Sequence, residues 1–239
     1  MKKKICLWSC PRNVSTALMY SFANRNDTKV FDEPLYAHYL KISKKQHPGR
    51  KEVLECQENN GETVVKEILL KDHAPISFHK LMTHFLKGIN YDFLSQVTNI
   101  LLIRNPIEII HSYNQIISNP SMEDIGMKMQ YDLFHILNRK KQITTLIDAK
   151  ELLENTENIL RKLCLRINIP FQKNMLTWEK GPKREDGVWA KYWYKNVHKS
   201  TNFSNYIPKK ITLKGSNLKL ANESEKYYQF LYDKSLKNI

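Results

Sequence analysis

Two groups of anion-binding residue types stand in the first half of the chain. Arg12, Ser15 and Thr16 fall within Pro11-Arg12-Asn13-Val14-Ser15-Thr16, and Arg104 is followed eight residues later by Ser112. A planar guanidinium can hold a phosphate bidentately, and a hydroxyl completes the shell. The two groups are roughly 90 residues apart. Between them lie Asp32 and Glu33, adjacent carboxylates with a candidate acid/base role. Capping of the turn that Pro34 starts is the alternative for this pair. Lys80 and His84 follow.

The surrounding pattern supplies elements to position these side chains. Ile5 to Trp8 is a short apolar run, read as a buried strand, and Ser9-Cys10-Pro11 reads as a turn. Ser15-Thr16 then opens a helix carrying Ala17, Leu18, Tyr20 and Phe22. Strand, tight loop and helix N-terminus is a phosphate-binding geometry, because free N–H groups and the positive helix end converge there. Simple capping by Ser15 or Thr16 is the plainer alternative. A Walker A loop is excluded, since no glycine occurs before Gly49. Thr28 to Phe31 reads as a second strand. Ile76 and Phe78 alternate as in a third, placing Lys80 and His84 near its C-terminal end, where open α/β sheets bind ligands. Ile100 to Ile103 is a continuous apolar run suited to a central parallel strand, and Asn105-Pro106 starts a helix.

Further along, residues 41–61 read as a polar surface connection with one helix from Lys51, and 63–70 fits helix or strand. Residues 123–140 read as a helix with Met127, Tyr131, Phe134 and Leu137 inward. Ile143 to Ile147 reads as a strand ending at Asp148, with helices at 149–153, 156–167 and 222–237. Interleaved strands and helices predict an α/β fold with a central, mostly parallel sheet and helices on both faces.

These motifs resemble those of sulfotransferases that use 3'-phosphoadenosine-5'-phosphosulfate (PAPS). Pro11 to Thr16 resembles their 5'-phosphosulfate loop, with Arg12 at the basic position, Ser15-Thr16 as the hydroxyl pair, and Val14 where many members have glycine. Arg104-Asn105-Pro106 with Ser112 resembles their 3'-phosphate motif. Asp32-Glu33-Pro34-Leu35-Tyr36-Ala37-His38-Tyr39 resembles a signature of a bacterial and plant sulfotransferase-like branch. The Lys80-Leu81-Met82-Thr83-His84 segment and Gly181-Pro182 through Trp189 continue the likeness.

The resemblance implies a P-loop NTPase-like sulfotransferase fold in a single domain, 1–239. It implies PAPS as donor, adenosine 3',5'-bisphosphate as product, a small-molecule acceptor and no metal. Arg12, Asn13, Val14, Ser15 and Thr16 would hold the phosphosulfate, and Arg104 and Ser112 the 3'-phosphate. Lys183 and Arg184, in a basic loop, are further candidate phosphate ligands. Glu33 or His84 would be the base, with Lys80 stabilising the leaving group. His73 is a rival to His84. Trp189, Trp193 and Tyr194 fit either an acceptor pocket or the core.

Composition agrees with this reading without specifying it. The 239 residues carry a net charge of +14, with 41% hydrophobic residues, 7 Gly and 9 Pro. That suffices for one α/β domain and favours anionic partners. The lysines are dispersed, and no nucleic-acid motif accompanies them. Cys6, Cys10, Cys56 and Cys164 match no zinc spacing. No stretch could span a bilayer, and a cytoplasmic protein is expected. A non-catalytic nucleotide-binding protein and an ATP-dependent small-molecule kinase are the alternatives.

Overall fold

The apolar runs pair into one parallel sheet. The structure, a computed structural model, describes residues 2–238. Five strands, β1 (Lys3–Ser9), β2 (Thr28–Asp32), β3 (Ile76–Met82), β4 (Thr98–Ile103) and β5 (Thr144–Asp148), lie in the order β2-β3-β1-β4-β5. All four pairings are parallel. Parallel strands need crossovers, and helices supply them. α1 (Ser15–Ala23) follows β1. α2 (Tyr36–Ser43), α3 (Arg50–Cys56) and α4 (Gly61–Val64), with a π-helical turn at Val65–Leu69, join β2 to β3. α5 (Pro106–Tyr113), α6 (Met122–Ile125) and α7 (Met127–Arg139) join β4 to β5. α8 (Ala149–Glu154), α9 (Thr156–Arg166), α10 (Ala190–Trp193) and α11 (Gly215–Asp233) follow.

The sheet is covered on both faces, so its strands carry apolar side chains on each of them. Ile5, Leu7, Phe78, Ile100 and Leu102 pack with Leu18 and Phe22 of α1 and Ile159, Leu160 and Leu163 of α9. Cys6, Trp8, Leu81, Leu101 and Ile103 face the other way, toward Leu40 of α2, Leu133 and Leu137 of α7, and Leu231 of α11. No helix among the described residues is long and apolar enough to cross a membrane.

One open reading resolves and two change. Residues 63–69, which fitted helix or strand, are helical: Asn60 caps Thr63 N–H at 3.1 Å and nothing in the segment pairs with the sheet. The helix read across 123–140 is broken at Gly126, whose φ of +67° turns α6 into α7. On α7 the buried positions are Met127, Gln130, Leu133 and Leu137. Tyr131 and Phe134 lean instead on Tyr227 and Phe230 of α11. α11 itself begins at Gly215, earlier than the apolar spacing implied.

β1 is central, and the chain reaches β2 on one side of it and β4 on the other. Every strand in a parallel sheet ends at the same edge. The residues that follow Ser9, Asp32, Met82 and Ile103 therefore converge, at a topological switch point.

Candidate active site

At that edge lies a cavity of about 410 Å³, lined by Arg12 to Thr16, Glu33, Lys80, His84, Arg104 and Ser112 among others. The loop after β1 is fixed from below. Asn13 Nδ2 donates to the Leu102 carbonyl at 2.6 Å, and Arg12 adopts a left-handed φ of +57°. Val14 has φ −42° and ψ 24°, outside the regular helical and extended regions but not in the left-handed region that favours glycine. Positive φ falls on Arg12 instead.

The two basic groups touch. Arg104 Nη1 donates to the Arg12 carbonyl at 2.7 Å, and Arg12 Nε donates to Ser112 Oγ at 3.0 Å. Asn105 caps α5 by accepting from Ile107 N–H at 2.9 Å, with Pro106 in its first turn, and this sets Ser112 facing the loop. Glu108 binds Arg104 through Nε at 2.8 Å and Nη2 at 2.6 Å. Arg12 also donates through Nη1 to the Trp193 carbonyl at 3.2 Å. Both guanidiniums, with five N–H groups each, thus keep donors in reserve. The Ser15 and Thr16 hydroxyls line the cavity without protein partners among the described residues. Burial lowers the pKa of Arg12, and the neighbouring Arg104 adds to this, as befits two cations gathered for an anion.

Beside the loop, β2 and β3 place two carboxylates around one ammonium. The register sets Asp32 opposite Lys80. Lys80 Nζ donates to Asp32 Oδ1 at 2.8 Å, to Glu33 Oε1 at 2.5 Å and to the Tyr194 hydroxyl. Tyr194 in turn donates to Asp32 at 2.8 Å, and Trp189 Nε1 donates to the Tyr194 oxygen at 3.1 Å. All three Lys80 N–H groups are therefore engaged. Burial alone would lower Lys80, but Asp32 and Glu33 overcome it and raise the pKa. Burial raises Glu33, with Asp32 reinforcing and Lys80 opposing. His84 is buried, packs 4.7 Å from Tyr39, and has no hydrogen-bond partner on either ring nitrogen among the described residues. Burial, then His47, push it down to about 3.

The sulfotransferase domain family matches residues 3–216. This chain belongs to that family. Among curated proteins it is 42% and 40% identical to branched-chain-amino-acid aminotransferase-like proteins 1 and 2 of Arabidopsis thaliana, over 85% and 82% of its length. It spans only 36% and 35% of those relatives. The fold is similar to the sulfotransferase domain from the curacin biosynthetic pathway, with 16% identity, a TM-score of 0.52 and coverage of 94% and 98% of the two chains. It is similar to a sulfotransferase from Alicyclobacillus acidocaldarius as well, with 8% identity, a TM-score of 0.54 and coverage of 99% and 98%. The parallel five-stranded sheet is thus the P-loop NTPase-like sulfotransferase fold.

Within this sulfotransferase fold, most of the expected site residues meet at one cavity, and a few do not. Lys183 and Arg184 are not among its lining residues. The Lys183 N–H is held by Asp186 at 2.8 Å, and Arg184 lies beside Lys29, Phe31 and Gln57 at a separate hollow. The basic residue that the late loops bring to the cavity is Lys209, from a tail segment in which the sequence displayed no chemistry. His73 is not a lining residue either, since its Nε2 sits 3.1 Å from the Ile68 carbonyl. Trp189 is core, while Trp193 and Tyr194 line the cavity. His47 was missed. It sits in a stretch that reads as surface, yet its Nδ1 lies 2.9 Å from the Tyr36 hydroxyl on the cavity wall. The one local signal was Pro48-Gly49, where Gly49 at φ +76° folds the loop back against Tyr192.

Proposed function

We propose that the protein moves a sulfuryl group from PAPS to a hydroxyl or amine of a small-molecule acceptor, releasing adenosine 3',5'-bisphosphate. One observation carries this: two cation groups with unengaged donors, around Arg12 and Arg104, share a cavity with a buried carboxylate of raised proton affinity. The donor set suits a doubly phosphorylated nucleotide. It consists of the reserve guanidinium N–H groups, the loop N–H groups before α1, and the Ser15, Thr16 and Ser112 hydroxyls.

PAPS supplies an activated sulfuryl group on a phosphate leaving group. Arg12, Ser15 and Thr16 hold that end, and Arg104 and Ser112 hold the 3'-phosphate. Glu33 takes the acceptor proton as the acceptor oxygen or nitrogen bonds to sulfur and the bridging S–O bond breaks. The electron pair of that bond stays on the phosphate, where the Arg12 guanidinium and loop N–H groups balance its charge. Lys80 reaches the bridging oxygen only by releasing one of its three partners, so its first task is to hold Glu33. His84, neutral and of low basicity, is the weaker base. Its place is beside the acceptor.

The relatives' name points to transamination. A lysine that forms a Schiff base must be a neutral amine, whereas Lys80 is the buried lysine among the described residues and is kept charged by Asp32 and Glu33. That favours sulfuryl transfer for this chain. Transfer of labelled sulfur from PAPS to an acceptor panel tests the reading, alongside thermal shift with adenosine 3',5'-bisphosphate. Label in a product and a raised Tm are expected. No transfer and no shift would refute the function.

A further inference from the structure

Two carboxylates are buried against one ammonium. Neighbouring residues on a strand point to opposite faces, but Glu33 leaves β2 at a left-handed φ of +44°, and both it and Asp32 reach Lys80 Nζ. Asp32, Glu33 and Lys80 are 7%, 7% and 1% exposed, so two acids and one base share a dry site. One carboxylate would suffice to neutralise the lysine.

The two carboxylates are not equivalent. Asp32 is closed off. Its Oδ1 accepts from Lys80, both its oxygens accept from the Tyr194 hydroxyl at 2.8 Å, and Oδ2 also accepts from the Gly187 N–H at 3.2 Å. It does not line the cavity, whereas Glu33 does, with Oε1 on Lys80. This asymmetry bears on proton transfer. A base that takes a proton loses its charge. Were Glu33 the sole counter-ion of Lys80, its protonation would leave a buried ammonium without a charged partner, a costly state. Asp32 removes that obstacle, because Lys80 keeps a carboxylate before and after the transfer. Burial raises Glu33, Lys80 opposes this, and Asp32 reinforces it.

The other groups around the cluster are neutral or stand apart. Tyr36, Tyr113 and Tyr194 are kept neutral by burial, as is Tyr20 on the Asp32 side. Burial holds His47 and His84 down at about 4 and about 3. Lys29, Glu58, Arg184 and Glu185 border the hollow outside Asp32, and Arg12, Arg104, Glu108, His111 and Lys209 stand elsewhere on the cavity wall. None of these nine hydrogen-bonds or ion-pairs with Asp32, Glu33 or Lys80 among the described residues.

Resting on the sulfotransferase reading with Glu33 as base, we propose that Asp32, held by Tyr194 and Gly187, is the positioning residue that keeps Lys80 paired while Glu33 takes the acceptor's proton. The acceptor's O–H or N–H bond breaks, its electron pair goes to sulfur, and the proton goes to a Glu33 oxygen. Lys80 keeps all its protons throughout.

The test reads Glu33 directly in the full chain, through the infrared C=O band of its protonated form, identified by its loss in Glu33→Gln. Wild type is expected to titrate above the ordinary glutamate value. Asp32→Asn keeps the shape and removes the charge, and should titrate at least ~1 pH unit lower than wild type, a ~10-fold fall in proton affinity. Asp32→Glu restores the charge and should recover most of that shift. A merely structural role for Asp32 would leave the midpoint in place, and an unmoved midpoint in Asp32→Asn overturns the proposal. If that variant does not fold, the wild-type midpoint decides: a value at or below ordinary glutamate overturns the proposal, and a value above it upholds it. In the transfer assay the acid limb of kcat should move with the infrared midpoint. Turnover that requires Glu33 but keeps its acid limb in Asp32→Asn overturns the proposal and leaves the enzyme reading intact. No sulfur transfer by the wild type, with the infrared shift as expected, refutes the enzyme reading and leaves the coupling of Asp32 to Glu33 standing.

Discussion

Arg12 and Glu33 share an uncommon backbone, with φ of +57° and +44° in residues that carry a Cβ. Left-handed conformations cost such residues roughly 1–2 kcal/mol each. Both side chains point into the same cavity, and strain of this kind gathers at sites where a group must be aimed. Glu33→Gln keeps the shape and removes the proton acceptor, so turnover should fall about 100- to 10,000-fold while adenosine 3',5'-bisphosphate binding persists. Pre-steady-state and binding measurements on the same preparation check this. The buried imidazoles predict a second effect. His47, His79 and His84 are held by burial at about 4, about 4 and about 3, below the ordinary 6.5. The unfolded chain therefore binds more protons than the native one between those values. Stability contributed by the neutral rings is full above pH 6.5 and declines as pH falls toward 4. Glu33 and Asp148, which burial raises, work in the opposite sense. The His84→Phe variant isolates one ring, and its urea midpoint should lose less than wild type between pH 7 and pH 5. An equal loss would show that His84 does not carry the effect. At this scale the gathering of Arg12, Ser15, Glu33, Lys80, Arg104 and Ser112 around one cavity was legible, because each stands in an apolar strand or in the loop or helix that follows one. Tyr194 was legible only as an aromatic. Its hydroxyl serves Asp32 across 162 residues, and no local pattern encodes that contact.

At the scale of elements, the strand and helix starts followed local chemistry. Asn105 and Asp148 cap α5 and α8 as their positions at strand ends suggested, Asp148 accepting from Lys150 N–H at 2.8 Å. Breaks were harder to read. Gly126 separates α6 from α7 at φ +67°, and a Cβ there would lie 3.5 Å from His84 Nδ1 and 3.9 Å from Cys10 Sγ. The spacing of apolar residues continued across it, and conformation at one residue overrode the period. Gly126→Ala should cost about 1 kcal/mol, seen as a lowered Tm, chiefly through the left-handed backbone. Tyr131 and Phe134 of α7 looked inward because a helix period marks an apolar side without saying what covers it. α11 covers them. The loop carrying His47 is the strongest case. It is polar in composition, yet it enters the cavity wall because Gly49 and Tyr192 fold it back.

For the molecule as a whole, the order β2-β3-β1-β4-β5 makes one site out of dispersed segments. Parallel strands deliver their C-terminal loops to one edge, so residues 12, 33, 80 and 104 meet without any being near another in sequence. The family membership and the fold were readable from the strand-ending motifs. The late loops were not, since Ser204, Lys209 and Ile211 reach the cavity through irregular chain. The central claim is that the Arg12 and Arg104 groups grip opposite ends of one nucleotide. Calorimetric titration of wild type and Arg104→Ala with adenosine 3',5'-bisphosphate and with AMP tests it most directly. The account predicts that the wild type prefers the bisphosphate by about 10- to 100-fold, the worth of a charge-assisted contact, and that Arg104→Ala abolishes this preference while AMP binding stays within a few-fold. Equal affinity for the two nucleotides in the wild type, or a preference that survives Arg104→Ala, would contradict it.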